Sequence, residues 1–179
     1  AYEDITEAIY GDPEFLVGRM EAMTEIAVRY AQEIERRGPD VLMLVDGTSQ
    51  TLGPDHYRRF SFPYTKAVVE ALRTPAILHV CGNPTPILGQ MAETGVEGLS
   101  IDHPIDTGHA FKATGGKVAL VGKISPQTLC IGSKEEIVAE TETSLREGMH
   151  VIAPGCGILP QTPLANLRAY IERVRNWQG

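Results

Sequence analysis

Ala76-Ile77-Leu78-His79-Val80-Cys81-Gly82 is an apolar run that turns polar at its end and stops at a glycine. Unbroken apolar runs of this length fit strands buried on both faces, as in parallel sheets. Val41-Leu42-Met43-Leu44-Val45 precedes it and ends in Asp46-Gly47. Three further runs follow: Val96 to Asp102, Lys117-Val118-Ala119-Leu120-Val121-Gly122, and His150-Val151-Ile152-Ala153 before Pro154-Gly155-Cys156-Gly157.

Helical patterns separate these runs. Asp12-Pro13 reads as an N-cap followed by a proline at the first helical position. Leu16, Met20, Met23, Ala27, Tyr30 and Ile34 then recur at helical spacing, and Gly38 reads as the closing C′ residue. One helix is predicted over 54–73 through Phe60, Tyr64, Val68 and Leu72, with short helices over 85–94 and 105–114. Ser133-Lys134-Glu135-Glu136 is a capping box that opens a helix running to Gly148. Thr162-Pro163 opens the last one, with Leu164, Leu167, Ile171 and Val174 on one face.

Strict alternation of strand and helix argues for a parallel α/β sheet, doubly wound or barrel-like. A dinucleotide fold wants a glycine-rich turn after its first strand, and Asp46-Gly47-Thr48-Ser49 is not G-x-G-x-x-G. A (β/α)8 TIM barrel instead places polar residues at the carboxyl ends of several strands, converging on one mouth. Here the strands end in Asp46, His79/Cys81, Asp102/His103, Gly122-Lys123 and Cys156, which favours the barrel. A closed barrel typically takes about 250 residues. The 179 residues supply about five βα units, read as a single domain over 1–179 with no internal boundary. An open arc would expose two strand edges and an apolar interior. The expectation is therefore a partial barrel completed by further chain, a second chain or self-association.

Net charge is −7, from 23 Asp+Glu against 16 Lys+Arg, and no run of basic residues offsets it. That balance argues against a nucleic-acid or anionic-membrane surface. Apolar runs fall far short of the roughly 20 residues needed to cross a bilayer. No secretory signal pattern is visible at the start. Three cysteines, Cys81, Cys130 and Cys156, are few for a disulfide scaffold. The expected setting is a reducing cytoplasm.

His79 and Cys81 stand two apart on a predicted strand, so both side chains point to one face, toward the mouth of a barrel. Cys156 ends another strand amid glycines and a proline. One imidazole and two thiolates form a ligand set for Zn2+, and three protein ligands leave a position open, as in catalytic zinc sites. A simpler alternative is that the cysteines pack as small apolar side chains. A cysteine hydrolase with Cys81 or Cys156 as nucleophile is a third option, without a G-x-S-x-G elbow to support it.

The segment Leu78-His79-Val80-Cys81-Gly82-Asn83-Pro84-Thr85-Pro86-Ile87-Leu88 resembles the H-x-C-G segment of corrinoid-dependent methyltransferases in the uroporphyrinogen decarboxylase superfamily. Ser100-Ile101-Asp102 and Ala153-Pro154-Gly155-Cys156-Gly157-Ile158 are similar to that group's later motifs, and the likeness extends from Gly11-Asp12-Pro13-Glu14-Phe15 to the last helix. The resemblance implies a (β/α)8 barrel of which this chain is the carboxyl-terminal half, in keeping with a start at Ala1 without Met. It implies His79, Cys81 and Cys156 as zinc ligands. It also implies transfer of a methyl group from a methylcobamide on a partner corrinoid protein to a thiol such as coenzyme M.

Asp46 and Asp102 are the candidate catalytic carboxylates, as partners of the metal ligands or as a fourth ligand. The alternative for each is a strand-end carboxylate capping the next loop. His103 and Lys123 are weaker candidates for binding an acidic substrate group. Cys130 is expected in a loop, as a bystander. His56, His109 and His150 are expected to be structural or exposed, and Tyr57, Phe60, Phe62 and Tyr64 to be core. Two other functions stay open: a metal-free, decarboxylase-like lyase acting on a tetrapyrrole, and a half-barrel with no activity of its own.

Overall fold

The computed structural model describes residues 2–178. Its strands are β1 (Leu42–Asp46), β2 (Ala76–Val80), β3 (Gly98–Ile101), β4 (Ala119–Ile124) and β5 (Val151–Pro154). They form one sheet in chain order, and every adjacent pair is parallel. Helices α1 (Tyr2–Gly11) and α2 (Pro13–Glu35) precede β1. The crossovers hold α3 (Pro54–Phe60) and α4 (Phe62–Glu70), then α5 (Leu88–Ala92), then α6 (Thr107–Thr114), then α7 (Pro126–Ile131) and α8 (Lys134–Arg146). Helix α9 (Leu164–Arg175) follows β5. The alternation read from the sequence is thus the alternation of the fold, a partial (β/α)8 barrel of five units.

Local chemistry sets the helix starts. Asp12 Oδ1 accepts from the Phe15 amide at 3.0 Å, with Pro13 at the first helical position. Ser133 Oγ accepts from the Glu136 amide, and Glu136 Oε2 accepts from the Ser133 amide, a reciprocal capping box. The single helix expected over 54–73 is broken at Ser61, whose φ of −130° and ψ of −50° leave the helical region. Pro63, just inside α4, has no amide hydrogen to give and crowds the preceding turn. The first helix and α7 were not anticipated. Cys130 lies on α7, buried, not in a loop.

Register explains which faces are buried. Leu44, Leu78, Leu99 and Leu120 form one row across β1 to β4. Leu78, Leu99 and Leu120 are fully buried, in one core cluster with Ile87, Leu88, Met91 and Ala110 from the helical layer. The adjacent row, Val45, His79, Ser100, Val121 and Val151, shows the opposite face. That concave face is closed at its centre and open at its ends. His79 is 5% exposed, whereas Val45 is 66% and Val151 50% exposed. Burial on both faces therefore holds for β2 and β3 and fails for β1, where Met43 is also exposed.

Both outer strands lack a neighbour on one side among the described residues. Pro154 is tolerated in β5 because an edge strand need not donate on its free side. An apolar groove of about 650 Å³ runs beside β1, lined among others by Ile9, Leu16, Met20, Ile34, Met43 and Val45. Among the described residues no helix is long and apolar enough to cross a membrane.

Candidate metal centre

Cys81 follows β2 by one residue and Cys156 follows β5 by two. Strands β3 and β4 lie between them, so a flat sheet would hold β2 and β5 about 14 Å apart at the usual spacing of roughly 4.8 Å. Instead the sheet curls. His79, Cys81 and Cys156 each offer a ligand atom, and these atoms all lie within 4.8 Å of one another.

His79 is oriented by its neighbour strand. Its Nδ1 lies 3.2 Å from the Ser100 carbonyl oxygen and 3.2 Å from Ser100 Oγ. A carbonyl can only accept, so Nδ1 carries the proton and donates it to Ser100. In the neutral ring this leaves a lone pair on Nε2. That atom is buried and has no hydrogen-bond partner among the described residues. A buried polar atom without a partner costs free energy unless something absent from the polypeptide meets it. Bonds of about 2.0–2.3 Å from nitrogen and sulfur to one divalent ion suit a cluster of this size. The side chains therefore fit a zinc-like ion. Burial raises the Cys81 thiol pKa, and the adjacent Cys156 and the carboxylates Asp102 and Asp46 raise it further. A cation reverses that penalty by drawing off the thiol proton.

The two carboxylates lie outside this group. Asp46 Oδ1 accepts from the Thr48 amide at 2.9 Å, Thr48 Oγ1 at 3.2 Å and the Ser49 amide at 3.0 Å, while Oδ2 accepts from Ser61 Oγ at 3.2 Å. Burial pushes its pKa up, but the hydrogen bonds from Ser49 and Thr48 outweigh burial and leave it below the usual range. It caps the loop after β1. Asp102 is 9% exposed, and its Oδ1 accepts from the His103 amide at 2.8 Å and lies 3.0 Å from His103 Nδ1. Gly155 fits against it closely: a Cβ there would fall 2.8 Å from Asp102 Oδ1 and 3.0 Å from Asp102 Cα. Only glycine lets the chain before Cys156 pass so near β3.

Lys123 Nζ donates to Thr107 Oγ1 at 2.5 Å and Glu147 Oε2 at 2.7 Å, so its charge is already matched within the fold. With His103 it lines a separate polar cavity of about 400 Å³. His56 lies on α3 and His109 on α6, and His150 Nδ1 accepts from the Leu120 amide at 3.0 Å. Tyr57 and Phe60 are buried as expected, and burial plus the Asp46 charge push the Tyr57 phenol above its ordinary pKa.

A family model for uroporphyrinogen decarboxylase (URO-D) matches residues 1–177. The chain belongs to the URO-D family. Among its relatives, the methylcobamide:CoM methyltransferase MtaA of Methanosarcina barkeri is 36% identical over 156 residues, covering 85% of this chain and 46% of the relative. A uroporphyrinogen decarboxylase of Trichodesmium erythraeum is 28% identical over 182 residues, covering 97% and 51%. The solved structure of a methyltransferase from Methanosarcina mazei superposes with a TM-score of 0.91 at 32% identity, over 97% of this chain and 52% of that one. The chain thus spans about half the length of the URO-D relatives it matches, in keeping with five strands of a barrel.

Sequence reasoning missed Ser100 as the partner of His79 and Gly155 as the residue that brings Cys156 in. Ser100 becomes visible only through register, because it is the residue directly opposite His79. The Gly155 signal was present in the glycines around Cys156, but its partner Asp102 lies on a different strand end.

Proposed function

We propose that this chain forms the metal-binding half of a zinc-dependent methyltransferase, which moves a methyl group from a methylated corrinoid protein to a thiol such as coenzyme M. One observation carries the reading: the His79 Nε2 lone pair, buried and unpartnered, is grouped with two thiols. The printed name of the Methanosarcina barkeri relative, a methylcobamide:CoM methyltransferase, supports the reaction class.

His79, Cys81 and Cys156 are the metal ligands in this reading, and three protein ligands leave a position for the substrate sulfur. Bound there, zinc supplies the Lewis acidity that draws the proton from a thiol at neutral pH. Cys81 and Cys156, as thiolates, offset the ion's charge, so the substrate sulfur keeps its nucleophilicity. In that transfer the thiol sulfur would take the methyl group through a new carbon–sulfur bond, and the electron pair of the broken carbon–cobalt bond would stay with the corrinoid. Ser100 fixes the His79 tautomer. Asp102 and Asp46 act as positioning residues, Asp102 against the segment that carries Cys156 and Asp46 under the loop after β1.

The corrinoid protein is the partner at the carboxyl ends of the strands. The open edges at β1 and β5 are covered by the remaining barrel strands, on the same polypeptide or on a second chain. A uroporphyrinogen decarboxylase-like lyase would leave the His79 lone pair with no task. Following the corrinoid's visible spectrum tests the proposal. Demethylation by zinc-loaded protein, dependent on added thiol, supports it; decarboxylation of a porphyrinogen by metal-free protein overturns it.

A further inference from the structure

Cys81 and Cys156 stand just beyond the ends of their strands, Cys81 beside Gly82 and Cys156 beside Gly157. Their sulfurs lie no more than 4.8 Å apart, and the two thiols share a hydrogen bond. A disulfide needs a sulfur–sulfur distance of about 2.05 Å. Rotation of the two side chains closes that gap while the strands stay in place. The loop can give at Gly157, where a side chain would meet nothing within 4 Å. Both cysteines are partly exposed, so a small oxidant reaches them. Cys130 is buried on α7 and lies outside this group, so it offers no competing partner.

Each sulfur has one use at a time. As a thiolate it ligates a cation; joined to the other sulfur it is neutral and no longer a strong ligand. A hydroperoxide oxidises one thiol to a sulfenic acid as its oxygen–oxygen bond breaks, and it leaves as the alcohol. The second sulfur then displaces the sulfenic oxygen as water, and the sulfur–sulfur bond forms. The protein loses two hydrogens, one to each oxygen of the broken peroxide bond. A reductant supplies two electrons, protons come from water, and both thiols return.

We propose that Cys81 and Cys156 form a reversible redox switch on metal occupancy: a hydroperoxide closes them into a disulfide, which leaves His79 alone of the three ligands, and reduction reopens the site. The proposal rests on the metal site described above and adds a regulation to it. A bound ion caps both sulfurs, so the switch acts on the chain before loading or after loss of the ion. Closure also protects the ligands. A sulfenic acid at either position is captured by the other sulfur before it goes on to the irreversible sulfinic acid.

Cobalt(II) gives a thiolate charge-transfer band when cysteine sulfur ligates it, and that band is the readout. Reduced, metal-free protein is treated with tert-butyl hydroperoxide, freed of oxidant and given cobalt. A second portion is reduced with a phosphine, which supplies no competing thiol, before cobalt is added. The untreated chain should show the band, the oxidised chain should lose it, and the phosphine should restore it in full. Circular dichroism should show the fold unchanged on oxidation, and Cys130→Ser should respond as wild type does. Cobalt binding that survives oxidation, a loss the phosphine does not reverse, a disulfide to Cys130, or unfolding on oxidation overturns the switch alone. A reduced wild-type chain that gives no band overturns the metal site, and this proposal with it.

Discussion

Ser100 and His79 sit directly opposite each other on β3 and β2, and the serine's carbonyl oxygen lies 3.2 Å from the imidazole Nδ1. This pairing decides which ring nitrogen is free, and so leaves the Nε2 lone pair on the side of the two cysteines. In Ser100→Ala the carbonyl remains and the hydroxyl at 3.2 Å is lost. Removing one such supporting partner should weaken zinc affinity about tenfold, measured by chelator competition. His79→Ala should abolish tight binding.

Gly155→Ala tests the approach of β5 to β3. The new methyl group would meet Asp102 Oδ1 at 2.8 Å and the His103 amide nitrogen at 3.0 Å, so backbone must shift. Overpacking of this kind costs about 1–3 kcal/mol, readable by urea unfolding. Because the shift displaces Cys156, zinc affinity should fall as well.

Asp46 gives a pH signature. Its folded pKa is below the ordinary value, so its contribution to stability is complete above the unfolded pKa and fades as pH falls through the folded one. Asp46→Asn should therefore cost about 1–3 kcal/mol at pH 7. The gap from wild type should narrow below about pH 4, the unfolded carboxyl's range. Denaturant unfolding of both proteins across that range reads it directly.

The nearness of Cys81 and Cys156 can be tested without metal. Treating metal-free protein with a hydroperoxide should join the two sulfurs, the thiols losing two hydrogens while the peroxide is reduced to water and alcohol. A cross-linked Cys81–Cys156 peptide is expected by mass spectrometry. Cys130, buried on α7, should remain a thiol. Prior zinc loading should suppress the cross-link.

The order of strands and helices was legible because burial imposes a pattern that the chain itself displays: apolar runs for central strands, and caps such as Asp12 and Ser133 for helices. His79 and Cys81 could be placed on one face from their spacing of two. That Cys156 meets them depends on the curl of the sheet across β3 and β4, which no local pattern encodes. Other features were hidden for similar reasons. The break at Ser61 comes from Pro63 and from hydrogen bonds to Ser49 and Asp46 across the loop. Helix α7 carried a readable start, since Ser125 caps it ahead of Pro126. The exposure of Val45 and Met43 reflects what lies beside β1, which the sequence of β1 does not contain.

Zinc content most directly decides whether His79, Cys81 and Cys156 bind one ion. Protein purified under reducing, chelator-free conditions should contain about one zinc per chain. Cys81→Ser and Cys156→Ser should contain almost none, and Cys130→Ser should match wild type. A folded wild-type chain that stays zinc-free after incubation with the metal would contradict the account.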